Sequence, residues 1–163
     1  MNEVARELSR IIKKSSRVAF LGVGSPLRSD DNVGNRIVAL LAEKLPSRPG
    51  REFRFYQGES APENFTGAIR DFQPEYLIIF DAAELNKPPG TAELILPERI
   101  DGIGFASHVL PLKIIGAYLQ AVTDCRILTV GIQPEDLSFG ESLSETVAAA
   151  ITDLVAELVG DWE

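Results

Sequence analysis

The side chains best suited to chemistry in this sequence are acidic, and they stand where apolar runs end. GVGSPLRSDD, residues 22 to 31, closes on the adjacent carboxylates Asp30 and Asp31. Asp81 closes the run EYLIIFD, 75 to 81, and His108, the one histidine of the chain, closes the glycine-containing loop IDGIGFASH. A carboxylate directly after LIIF is costly to desolvate unless a helix N-terminus, a cation or a metal ion faces it. In open parallel sheets, ligands gather beyond the carboxyl ends of the strands, which draws Asp31, Asp81 and His108 toward one edge. Two carboxylates and an imidazole would offer a cation three hard-to-borderline ligands and leave positions open for water or substrate. Each residue also has a plainer reading. Asp30 or Asp31 can cap the helix that follows, Asp81 can bond loop amides, and His108 can lie at a surface or a cap. Periodicity and spacing leave both readings open.

Other chemistries fit less well. Gly22-x-Gly24 resembles the start of a dinucleotide fingerprint, but Leu27 stands where its third glycine is needed and two carboxylates would face the pyrophosphate. No Gly-Lys-Ser/Thr follows, so a Walker loop is excluded. Ser25, Ser60 and Ser107 all lie outside a G-x-S-x-G elbow. Ser60, three residues before Glu63, reads instead as half of a capping box. Cys125 opens an apolar strand whose alternation sends Arg126 to the other face, so it reads as a packed core thiol.

These residues need elements to hold them. Val4, Leu8, Ile11 and Ile12 predict a helix over 2–14 with Asn2 as its cap. RVAFLGVG (17–24) predicts a buried parallel strand, and Val33, Ile37, Leu40, Leu41 and Leu45 mark a helix over 31–45 that PSRPG ends. Strands follow at 51–57 and 75–81, with a helix between them opened by SAPE and reaching about Phe72. NKPPG turns into a short strand over 91–96, antiparallel at an edge, then a helix over 111–122 and a strand over 125–131. Ser142-x-x-Glu145 is a second capping box, opening a C-terminal helix. Strands separated by helix-length segments define a three-layer α/β fold, a mainly parallel sheet with helices on both faces. At 163 residues the chain is read as one domain, 1–163, with the 1–14 helix preceding the core. A formal net charge of −8 and the lack of a Lys/Arg cluster exclude a nucleic-acid partner. No apolar run approaches the ~18 residues of a membrane span, so a cytoplasmic protein is expected.

GVGSPLRSDDNVG, GESAPENFTGAIRDFQPEYLIIFDAAE, SHVLPL and GIQPED, in this order, resemble the hydrogenase maturation endopeptidases of the HycI/HybD family. The likeness is nearest to the HycI type, which processes the large subunit of formate-hydrogenlyase-type hydrogenases, and it runs from about residue 17 to 159. It implies a phosphorylase/hydrolase-like α/β fold. It further implies an endopeptidase, classed with the aspartic-type peptidases, that clips a C-terminal extension from the precursor of the nickel-iron hydrogenase large subunit after nickel insertion. By motif, the family's metal ligands fall on Asp31, Asp81 and His108, with Asp31 and Asp81 as the catalytic candidates and Asp30 left as the helix cap. The nickel would arrive with the precursor, so the free enzyme, expected as a monomer, would carry none of its own.

Gln57 departs from the family pattern. Many relatives have Asp at that position and glycine where this chain has Glu59. An amide cannot act as a general base. The departure keeps open a non-cleaving nickel-dependent binding or chaperone protein for the same precursor, and a small-molecule metallohydrolase stands as a third reading.

Overall fold

RVAFLGVG forms an interior strand of the sheet, and both of its faces are covered. The computed structural model describes residues 2–102 and 109–160. In it β1 (Arg17–Gly22) lies between two parallel neighbours, β2 (Glu52–Gln57) and β3 (Tyr76–Ala82). Val18 and Phe20 point into one core, Ala19 and Leu21 into the other, as strand alternation requires. Phe20 stacks on Phe55 of β2, with centroids 5.3 Å apart. The parallel set is completed by β5 (Arg126–Ile132) beside β3, and the short β4 (Ala92–Ile95) joins its far edge antiparallel, giving the order β2-β1-β3-β5-β4.

Among the described residues five α-helices cover this sheet: α1 (Glu3–Lys14), α2 (Val33–Lys44), α3 (Thr66–Phe72), α4 (Val109–Val122) and α5 (Glu145–Val159). The apolar stripes of α1, α2 and α5 bury against Val18, Phe20, Ile78, Phe80 and Val130. Ile69 of α3 and Ile115 and Leu119 of α4 bury with Leu21, Leu77 and Ile79 on the opposite face. The three layers expected from the alternation are therefore present, and Asn2 caps α1 through a 2.7 Å bond from the Ala5 N–H.

The helix starts differ from expectation. Neither capping box forms. After Ser60 the chain makes a 3-10 turn over Pro62–Phe65 whose N-cap is Ala61, one residue later than the box requires, and Pro62 has no N–H to offer a cap. Ser144, not Ser142, stands at the N-cap of α5, and its hydroxyl is drawn elsewhere. The helix expected at 31 begins as a 3-10 turn over Ser29–Asn32 before α2 takes over.

Candidate active site

The loop after β1 reaches the site because glycines let helix and strand backbones nearly touch. Gly24 has φ of +136°, and a Cβ there would fall 1.7 Å from the Asp31 carbonyl oxygen. At Gly34, in the first turn of α2, a Cβ would fall 2.0 Å from the Phe80 carbonyl oxygen. The start of α2 thus sits directly on β3, one residue before Asp81. The glycines that resemble a phosphate cradle instead fold the 3-10 turn back over the strand ends and carry Asp31 to the border between β1 and β3.

That border is where the winding of the sheet reverses. The chain leaves β1 toward β2 on one side and returns to β3 on the other, which opens a crevice at the carboxyl ends of the strands. Asp31 is buried beside this border, with one carboxylate oxygen accepting the Ser25 N–H at 2.9 Å. Asp81 is fully buried at the end of β3, on the α3/α4 face with Leu77 and Ile79, opposite Gly131 of β5. The structure therefore brings Asp31 and Asp81 to one edge. His108 and Ser107 lie outside the described residues, and among the described residues no three His, Cys, Asp or Glu side chains gather closely enough to hold a metal ion. Gln57, at the end of β2, is exposed. Glu59 has φ of +53°, a left-handed conformation that glycine adopts without cost, and its side chain faces solvent while its backbone is fully engaged.

Asp30 is not a cap. Asn32 at the N-cap of α2 makes no side-chain cap bond, and the fully buried carboxylate of Asp30 turns instead to the loop after β5. It accepts the N–H groups of Glu135 and Asp136 at 2.9 Å each, and the N–H and hydroxyl of Ser144 at 2.8 Å each. A buried charge is tolerated when hydrogen bonds replace its water, and here four donors do so.

Two further polar residues tie the edge together, and pattern reading passes over both. Buried Asn35 donates to the Gly24 carbonyl and to Asn32, and accepts the Glu59 N–H at 3.1 Å, joining the loops after β1 and β2. Buried Gln133 accepts the Leu85 N–H at 2.6 Å and donates to Glu84 at 3.0 Å, joining the ends of β3 and β5. Their one sequence signal is an amide side chain at the first turn of a buried helix and another directly after a buried strand. Cys125 is the inert thiol expected: it is 7% exposed, and burial pushes its pKa up to about 11.

In a doubly wound α/β domain, ligands bind beyond the carboxyl ends of the strands, the edge where these two buried carboxylates lie. The chain belongs to the hydrogenase maturation protease family, whose model matches residues 36–161. It is 31% identical over 145 residues to the hydrogenase 3 maturation protease of Escherichia coli, covering 88% of this chain and 89% of that protein. To a putative hydrogenase maturation protease of Methanocaldococcus jannaschii it is 30% identical over 156 residues, covering 91% and 89%. The fold is similar to the crystal structure of the maturation protease HycI from Thermococcus kodakarensis, with TM-score 0.80, 25% identity, and 95% and 99% of the two chains covered. The endopeptidase HybD from E. coli aligns with TM-score 0.71 and 26% identity over 87% and 89%.

Proposed function

We propose that this protein is the endopeptidase that removes the C-terminal extension of a nickel-iron hydrogenase large-subunit precursor once nickel is in place, acting in the cytoplasm as a monomer. What supports this reading is that Asp31 and Asp81 are both buried at the carboxyl edge of the sheet in a chain of this family. Asp31, Asp81 and, by the family resemblance, His108 offer two carboxylates and an imidazole, a donor set that suits nickel and leaves coordination positions for groups of the precursor. Nickel is cargo of the substrate in this reading. When bound, it supplies a docking point and a Lewis acid. Asp31 and Asp81 supply carboxylates at the scissile bond, where Asp31 can take a proton from the attacking water as the peptide C–N bond opens to an acid and an amine.

The test is the mass of nickel-loaded precursor after incubation with the protein. Loss of the extension is expected, and Asp81→Asn and His108→Ala should abolish it while leaving the far-UV spectrum unchanged. A precursor that is bound at full mass sinks the protease reading. It would favour the non-cleaving binding protein, which the amide of Gln57 in place of a carboxylate supports.

A further inference from the structure

Two large apolar side chains stand in water beside this edge. Phe139 is 84% exposed and Leu27 is 48% exposed. Phe139 belongs to the loop after β5, and the backbone on both sides of it is clamped to the loop after β1. The Ser138 carbonyl accepts the Ser29 hydroxyl at 2.8 Å, while Gly140 accepts the Ser29 N–H at 2.9 Å and donates to the Leu27 carbonyl at 2.8 Å. The clamp is close, since a Cβ at Gly140 would fall 3.0 Å from the Ser29 hydroxyl. The Asp30 carboxylate anchors the same loop at Glu135 and Asp136. With its neighbours held, Phe139 cannot retreat on a loose loop, and its ring is displayed.

The same bonds continue to the candidate site. Leu27 donates its N–H to the Ser25 hydroxyl at 3.2 Å, and Ser25 donates its own N–H to the Asp31 carboxylate at 2.9 Å. The apolar pair is therefore built onto the frame that holds Asp31. We propose that Leu27 and Phe139 form an apolar rim that receives apolar side chains of the substrate polypeptide next to its scissile bond. This rests on the protease reading above, and it makes the rim a determinant of affinity and register, not of bond cleavage.

Charge selects the occupant. Glu135, Asp136 and Glu141 surround Phe139 in sequence, and the Ser138 hydroxyl and amide hold the Asp136 carboxyl below its usual range. A second copy of this chain, at net charge −8, would bring the same carboxylates against them. A substrate segment with apolar side chains and few acidic ones meets no such repulsion.

Steady-state cleavage of the precursor by Phe139→Ala, Leu27→Ala and Phe139→Leu separates KM from kcat. The alanine change at Phe139 should raise KM about 10-fold and leave kcat within about 2-fold, and Phe139→Leu should recover most of the loss. The unfolding midpoint should not move, because an exposed ring supports no packing. A KM within about 2-fold of the parent in both alanine variants overturns the proposal. So does unchanged cleavage combined with conversion of a dimer to a monomer in sedimentation, which would assign the rim to a second copy. Should the parent bind the precursor without cutting it, the protease reading fails alone. The rim is then read from binding, where a Kd about 10-fold weaker for Phe139→Ala supports it and an equal Kd overturns it.

Discussion

Asp30 and Asp31 are neighbours with opposite duties. Asp31 bonds within its own loop, accepting the Ser25 N–H, while Asp30 turns inward and gathers four donors that lie 105 to 114 residues further along the chain. Replacing Asp30 with Asn keeps the volume but presents an amide N–H₂ to groups that are themselves donors, and removes the charge that strengthens each bond. The loss should be about 3 kcal/mol, set by broken buried bonds to a charged acceptor. Ser144→Ala deletes one of the four and should cost about 1 kcal/mol. Urea unfolding at pH 7 compares the two. If Asp30→Asn costs no more than Ser144→Ala, the loops hold one another without the carboxylate. Local pattern could not show this role, because the partners of Asp30 are remote in sequence and an Asp-Asp pair before a helix looks the same whether it caps or anchors.

At the scale of elements, legibility follows burial. EYLIIFD and RVAFLGVG announce buried strands because an apolar run bounded by turn residues has few other fates, and the antiparallel edge strand over 92–95 followed from its shortness and its proline-rich approach. Helix starts were less legible. SAPE and SLSE match the capping-box pattern, yet the turn after Ser60 starts one residue late, at Ala61, with a proline that has no N–H, and Asp30 captures the hydroxyl that would cap α5. The placing of Asp31 and Asp81 at one edge was legible, but not the frame around them, since Asn35 and Gln133 act through bonds between loops. Cys125 tests the reading of β5. Its proton is held more tightly folded than unfolded, so its stabilising effect is complete below pH 9.0 and fades as pH climbs toward about 11. A shift of that size leaves about 100-fold less thiolate at pH 8 than in the unfolded chain. Iodoacetamide should therefore modify the native protein at least that much more slowly than the urea-unfolded protein. Equal rates would show that the segment before β5 opens freely.

The whole molecule divides its labour across the sheet. The layer of α1, α2 and α5 stabilises, and the proposed site lies at the carboxyl edge. Leu8, fully buried in α1, packs with the cluster that contains α5 and the inner face of β1 and β3, whereas Asp31 and Asp81 lie at the strand ends. Because α1 packs on α5, which packs in turn on α2 in one continuous core, α1 cannot melt by itself without uncovering α5. Leu8→Ala should then cost about 3 kcal/mol through lost burial and the cavity left behind, and should do so in a single transition. Urea unfolding followed by far-UV and near-UV circular dichroism checks this, with coincident curves and an unchanged m-value expected. Two separated transitions would mean that α1 docks as an independent unit. Cleavage of the precursor by the folded fraction of the same variant should keep its kcat and KM, because no bond of the Asp31 and Asp30 frame passes through α1. A change in kcat would show instead that the core on the α1 face positions the catalytic edge.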